Sequence, residues 1–240
     1  MSALPLALVT GGAHRLGRAF ALALARQGFA ILLHYHHSEE EAAATADAIR
    51  ALGMPVYQVQ ADLTSLTNIE SLFITIDTLP HPLKVLVNSA ALMPRGDVRT
   101  LSAADFDAAI ALNLRAPFLC AQEAAKRMDD GGLIVNVTDI GAQKAWSGFP
   151  AYTVSKAGLE SLTRVLARSL APMIRVNAIA PGLVLPSEYV SEEEWKRLVE
   201  RLPLNRPASV DEITSALEFL LENEYITGQT IVVDGGYSLL

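Results

Sequence analysis

The chain has 240 residues, 51% hydrophobic and 19% charged, enough apolar material for a sizeable core. A net charge of -7 argues against a nucleic-acid or anionic-membrane surface. The one cysteine, Cys120, excludes an internal disulfide and predicts a buried thiol in a reducing compartment, the cytoplasm. The apolar opening, residues 1–10, lacks a basic flank and reads as a buried strand rather than a signal peptide, and no apolar run approaches membrane-spanning length.

Residues 6–10 form a short apolar strand that breaks into Gly11-Gly-Ala-His-Arg-Leu-Gly17, and a helical pattern follows over 18–27. Strand, glycine turn and helix are the context of a dinucleotide-binding turn. Glycine lets the backbone approach a pyrophosphate, and the helix N-terminus presents free N–H groups and a partial positive charge. Gly11, Arg15, Leu16 and Gly17 are therefore candidate cofactor contacts, an ordinary tight turn being the bland alternative. Residues 29–34 are a second strand. No carboxylate follows where one would hydrogen-bond an adenosine ribose; the chain reads His34-Tyr35-His36-His37-Ser38 before Glu39, Glu40 and Glu41 open the next helix. A carboxylate would repel a ribose 2′-phosphate. Imidazoles, a hydroxyl and a helix N-terminus accept one, and Arg15 can reach the same place. His34, His36, His37, Ser38 and Arg15 thus predict NADPH. No further ligand stands at metal spacing from the histidines, so no metal is expected.

Residues 39–52 are an amphipathic helix and 56–61 a third strand, closed by Asp62-Leu63. An acid at a strand's carboxyl end lies on the ligand side of a doubly wound sheet, so Asp62 and Leu63 are candidates to meet adenine; Asp62 can also cap a helix over 65–77. Residues 84–88 are the fourth strand, ending at Asn88, where small Ser89 and Ala90 let a cofactor lie close. A long helical stretch, 103–127, contains Asn113, and a buried asparagine there needs partners. The fifth strand, 133–137, ends at Thr138-Asp139. A helix over 152–171 opens on Tyr152-x-x-x-Lys156. Residues four apart share a helix face, so the ammonium of Lys156 meets the same pocket as Tyr152. There it favours phenolate and lowers a pKa that is ordinarily ~10, which brings the proton into a usable range. An exposed amphipathic face is the alternative. After a sixth strand, 174–179, Pro181-Gly182 and Leu183 lead into a segment, 183–210, that carries Tyr189, Trp195 and three glutamates. Its helical middle between prolines reads either as a lid or as a surface excursion. A last helix spans 211–222, and a seventh strand with its turn spans 228–237.

Taken together, the motifs resemble those of the short-chain dehydrogenase/reductase family over nearly the whole chain. They are Thr10-Gly11 through Gly17, Asn88-Ser89-Ala90-Ala91, Asn113, Tyr152-x-x-x-Lys156, Pro181-Gly182 and Asp234-Gly235-Gly236. Two residues depart from the usual pattern: Arg15 replaces a glycine, and Asp139 replaces the serine thirteen residues before Tyr152. Both departures are similar to the pteridine reductase branch, with its Arg-Leu-Gly turn, His-Tyr-His segment and Asp/Tyr/Lys set. The ending Asp234-Gly-Gly-Tyr-Ser-Leu is similar too. The resemblance implies one domain with a Rossmann-type, doubly wound α/β fold: a seven-stranded parallel sheet with helices on both faces. It implies NADPH, a homotetramer, and reduction of a pterin, dihydropterin or folate. It implies that Asp139, Tyr152, Lys156 and Asn113 are catalytic: Tyr152 gives the proton, Lys156 holds the nicotinamide ribose and Asn113 supports a relay water. Tyr152, Lys156, Asn88, Ser89, Ala90, Pro181, Gly182 and Leu183 then count as cofactor contacts.

Ser89, His37 and Met93 differ from that branch, which carries asparagine, a phosphate-binding arginine and a substrate-stacking aromatic ring at or near these positions. With Met93 at the substrate, Trp146, Phe149 or Tyr189 would have to supply the ring. Asp139 itself favours a C=N substrate. An ionised carboxylate opposes a developing alkoxide, but accepts N–H bonds from a nitrogen-rich ring or, with a raised pKa, protonates a ring nitrogen. An NADPH-dependent carbonyl or quinone reductase and a non-catalytic NADP-binding sensor stay open as alternatives.

Overall fold

The computed structural model describes residues 3–129, 131–186 and 190–240. Its sheet is built from β1 (Leu6–Thr10), β2 (Ala30–Tyr35), β3 (Val56–Gln60), β4 (Leu83–Asn88), β5 (Gly132–Val137), β6 (Ile174–Pro181) and β7 (Thr230–Val233). All are parallel, in the order β3-β2-β1-β4-β5-β6-β7. The order runs outward in both directions from β1 and β4, which creates the crevice where doubly wound sheets bind ligands.

The central strands read as unbroken apolar runs because both sheet faces are covered. Leu6 and Leu8 of β1 face one layer, and Ala7 and Val9 the other. The first layer is roofed by α3 (Leu66–Asp77), α5 (Ala116–Ala125) and α6 (Pro150–Leu170), which bring Phe73, Cys120 and Leu166. The second is roofed by α1 (Arg15–Arg26), α2 (Glu39–Ala51) and α8 (Val210–Glu222), which bring Phe20, Ile49 and Leu217. Cys120 is core, and burial pushes its thiol up to about 12. α4 (Ala103–Ile110) precedes α5, and α7 (Glu192–Glu200) lies in the segment between β6 and α8. No helix among the described residues is long and apolar enough to cross a membrane.

Two local expectations change. The stretch 103–127 is not one α-helix: α4 and α5 are joined by a π-turn, Ala111–Arg115. Pro117 stands four residues after Asn113 and has no N–H to give its carbonyl, so the α-helical ladder slips at this point. Asp62 is not the cap of α3. Ser65 caps it, accepting from Asn68 N at 3.4 Å, while Asp62 Oδ1 accepts from Thr64 N and Oγ1 at 2.8 and 2.7 Å. Those bonds hold the Asp62 carboxyl below the usual carboxylate range.

Candidate active site

The carboxyl ends of β1, β2, β4, β5 and β6 open into one cavity of about 1020 Å³. At its dinucleotide end, Gly11 takes a left-handed φ of +63°. Gly17 packs beneath it so closely that a Cβ would lie 2.0 Å from the Gly11 carbonyl oxygen. Gly17 lies in the first turn of α1, whose N-cap residue, His14, makes no side-chain cap bond. First-turn N–H groups have no acceptor within their own helix. Here they stand at the wall of a cavity that Arg15, Leu16 and Gly17 line, a donor set suited to a pyrophosphate. Ser89 and Ala90 line it opposite, both donating their N–H to Thr10 Oγ1 at 3.0 and 3.2 Å. Asp62, Leu63, Pro181, Gly182 and Leu183 also line the cavity.

Three predicted contacts turn out otherwise. His34 is buried; its Nδ1 accepts from Gly11 N at 3.0 Å, which fixes the tautomer so that Nε2–H donates to Ala61 O at 3.0 Å. Burial drives its pKa down to about 4, so it is a neutral pin between the glycine turn and β3, not a cation for phosphate. Arg15, in the left-handed region at φ 52°, does not point to the end of β2. Its guanidinium donates to Leu185 O and Pro186 O at 3.1 and 3.0 Å, on the segment after β6. Asn88 turns into the sheet. It donates to Asn136 Oδ1 at 2.9 Å, and Asn136 passes the chain on to Thr163 Oγ1 at 2.9 Å. This leaves His36, His37 and Ser38 at the rim. The two imidazoles are exposed and lie 3.6 Å apart, and the Ser38 hydroxyl is not used as the cap of α2.

At the other end β5 delivers Asp139 and α6 delivers Tyr152 and Lys156. Asp139 Oδ1 accepts from Gly141 N at 2.7 Å, and Oδ2 accepts from the Tyr152 hydroxyl at 2.9 Å. Lys156, one turn beyond Tyr152, donates to Val137 O at 2.7 Å and lies 5.7 Å from the Tyr152 ring centre. Burial pushes the Asp139 carboxyl up to about 6 against the opposing pull of Gly141 N–H, Tyr152 and Lys156. It pulls Lys156 down to about 8, with Asp139 opposing. Tyr152 is pushed well above its ordinary value, first by burial and then by the Asp139 charge. The expectation that Lys156 would make this tyrosine more acidic is overturned. The group that meets the phenol is a carboxylate, and the ammonium is engaged by a carbonyl.

Asn113, on the π-turn, binds both backbone groups of Leu92, through Oδ1 from N at 2.9 Å and from Nδ2 to O at 2.8 Å. Its Nδ2 also donates to Ser155 Oγ at 2.9 Å, and Ser155 donates to Tyr152 O at 2.7 Å. The Asn113 side chain thus ties the loop after β4 to the helix that carries Tyr152. Ser155 was not singled out from the sequence, though its place three residues after Tyr152 puts it on the same inward face. Met93 and Trp146 line the substrate end, joined by Tyr237 and by Trp195 and Leu198 of α7. Tyr189 lies outside the described residues.

Residues 11–238 match the family model described as enoyl-(acyl carrier protein) reductase. The chain belongs to the short-chain dehydrogenase/reductase family. It is an NAD(P)-dependent oxidoreductase of that family. The 3-oxoacyl-[acyl-carrier-protein] reductase FabG of Staphylococcus aureus is 32% identical over 96% of both chains. FolM alternative dihydrofolate reductase 1 from Brucella suis, crystallised with NADP, is 39% identical with a TM-score of 0.94, covering 100% of this chain and 97% of that one. A blue fluorescent protein from a metagenomic library, in complex with NADPH, is 30% identical with a TM-score of 0.91 and 98% coverage of both chains.

Proposed function

We propose that this reductase uses NADPH to reduce a C=N bond of a pterin-type ring. The observation that carries the reading is the 2.9 Å contact of Tyr152 with Asp139, a buried carboxyl whose pKa stands at about 6. When bound, the reduced nicotinamide supplies a hydride to a ring carbon. The chain has to supply one proton to the adjacent nitrogen. In its acid form Asp139 no longer needs the Tyr152 proton, so an O–H of the pair can turn to the cavity and donate. In its ionised form Asp139 accepts N–H bonds from an amino-substituted ring and orients it. Lys156 keeps its charge beside the pair and is placed to hold the nicotinamide ribose. Asn113 and Ser155 fix the height of Tyr152 against the Leu92 loop. The FolM likeness supports a pterin or folate ring, and two structural relatives hold NADP or NADPH. His36, His37 and Ser38, with no carboxylate at the end of β2, are the candidate seat for the 2′-phosphate.

A second reading, reduction of a carbonyl such as a 3-oxoacyl group, is favoured by the family description and the FabG likeness. It would set an ionised carboxylate beside a developing alkoxide, which raises the barrier. The test is NADPH oxidation with a dihydropterin, dihydrofolate, an aliphatic diketone and a 3-oxoacyl thioester, for wild type and Asp139→Ser. The proposal expects dihydropterin turnover that the serine lowers by ~10²–10⁴. Turnover of the carbonyl compounds alone, preserved or raised by the serine, refutes it.

The same reading makes the protein a cytoplasmic homotetramer. Phe106 and Phe118 of α4 and α5 and Val154 and Val165 of α6 are exposed, and β7 is an open edge with Val232 exposed. Apolar faces and free sheet edges are ordinarily covered. A monomer by light scattering at micromolar concentration counts against this assembly.

A further inference from the structure

After β7 the chain turns back over the substrate end of the cavity through a short helical turn, Tyr237–Leu239. Asp234 builds that turn, accepting from Gly236 N at 2.9 Å and from Ser238 N at 2.7 Å. One side of the turn is seated on the segment after α7. Leu204 N donates to Gly235 O at 3.2 Å, and at Gly236, φ +84°, a Cβ would lie 2.7 Å from Pro203 Cγ. The other side is held by Lys144, five residues after Asp139. Its Nζ donates to Tyr237 O at 3.0 Å and to Leu240 O at 2.7 Å, and lies 5.0 Å from the centre of the Tyr237 ring. Tyr237 lines the cavity with its ring 6.4 Å from that of Trp146, and Trp146 is in turn 6.4 Å from Phe149. Its hydroxyl is raised by burial, against the opposing pull of Arg201, with the charge of Asp139 adding a smaller push.

We propose that Lys144 is a positioning residue that holds Tyr237 against Trp146, and that this pair of rings selects planar substrates. Met93 offers no flat face, and the Tyr237 and Trp146 rings, which line the same cavity, supply aromatic faces in its place. The inference rests on the ring-reducing function for the identity of the natural ring, and on the geometry alone for the preference for flat molecules. An ammonium bonded to two backbone oxygens fixes the turn, and the turn fixes the ring. With that cation gone, the turn loses its two side-chain donors and keeps the backbone bonds from Tyr237 N to Asp234 O and from Leu240 N to Tyr237 O.

The experiment compares wild type with Lys144→Met, which keeps the stem and removes the donors, Lys144→Arg, which restores donors, Tyr237→Leu, and the Met/Leu double variant. Substrates are a dihydropterin, a planar quinone and an aliphatic diketone. Hydrogen exchange of residues 236–240 and NADPH binding are measured alongside. Lys144→Met is expected to lower the planar-to-aliphatic ratio of kcat/KM roughly five- to tenfold, the scale of a lost aromatic contact, mainly through KM. It should speed exchange in the turn, and Lys144→Arg should recover both. Tyr237→Leu should lower the ratio similarly, and the double variant should be no worse than Tyr237→Leu alone, because Lys144 acts through that ring. An unchanged ratio in either single variant, or fully additive losses in the double, overturns the inference. If the enzyme reduces quinones but no pterin, the function proposed above fails, while the planar ratio, read on the quinone, still decides the role of Lys144.

Discussion

Replacing Asp139 by asparagine removes a charge and nearly preserves a shape, and it should separate stability from activity. The carboxyl titrates at about 6 in the fold against an ordinary value of 3.8. That is about two pKa units, or up to about 3 kcal/mol of preference for the protonated form. A raised carboxyl pKa means that the folded chain holds the proton more tightly than the unfolded chain. The contribution is fully present below 3.8 and is lost as pH rises through about 6. Wild type therefore carries an ionised, buried carboxylate at pH ~8 at that cost, and Asp139→Asn does not. The amide oxygen can still accept from Gly141 N. At pH ~8 the variant should melt higher than wild type, by at most roughly 6–12 °C at about 2–4 °C per kcal/mol for a chain of this size. Near pH ~4 the gap should close. Turnover of a dihydropterin should move the other way, falling ~10²–10⁴-fold, and the wild-type rate should decline above pH ~6 as the acid form is lost. Thermal denaturation of the cofactor-free protein at several pH values and a pH–rate profile test both halves. An asparagine variant that is less stable at high pH, or a wild-type rate that is flat across this range, refutes the reasoning.

Gly17→Ala should abolish dinucleotide binding and destabilise the fold, since its Cβ would fall 2.0 Å from the backbone oxygen of Gly11; calorimetric titration with NADPH and a denaturant melt check both effects. Arg15→Gly should leave NADPH affinity within about threefold, because the guanidinium is committed to Leu185 and Pro186, and should change stability by no more than about 1 kcal/mol, since relief of a left-handed non-glycine residue offsets the two lost bonds. A large and selective loss of NADPH affinity would show instead that Arg15 serves the 2′-phosphate.

What could be read from the sequence was what one element decides by itself. The strands were legible because burial on both faces writes an unbroken apolar run. The shared face of Tyr152 and Lys156 was legible because four residues make one helical turn. What could not be read depends on groups far apart in the chain. His34 looked like a phosphate ligand until the Gly11 N–H and the Ala61 carbonyl, 23 and 27 residues away, occupied both ring nitrogens. The acidity of Tyr152 was misjudged because the nearest charge in sequence is Lys156, whereas the group in contact is Asp139, 13 residues earlier on another element. The π-turn did carry a signal, the spacing from Asn113 to Pro117. A proline inside a helical pattern is usually taken as an end rather than as a slip in the ladder.

The two departures from the family pattern both line the cavity. Arg15 replaces a glycine of the cofactor turn, yet its guanidinium donates to the backbone of Leu185 and Pro186, on the segment after β6. Asp139 replaces a serine at the carboxyl end of β5, and its carboxyl meets Tyr152. At the end of β2 the rim carries two exposed imidazoles and a Ser38 hydroxyl that makes no cap bond, the proposed seat for a phosphate. Each change alters the chemistry of the cavity wall. One adds a cation that ties the cofactor turn to the segment over the cavity. The other exchanges a neutral hydroxyl for a group that can both donate and accept near neutral pH. A carbonyl reducer gains from neither, because its developing charge is a single oxyanion that wants fixed donors. A nitrogen-rich ring presents donors and acceptors together, and a buried acid with a pKa of about 6 matches it in both protonation states.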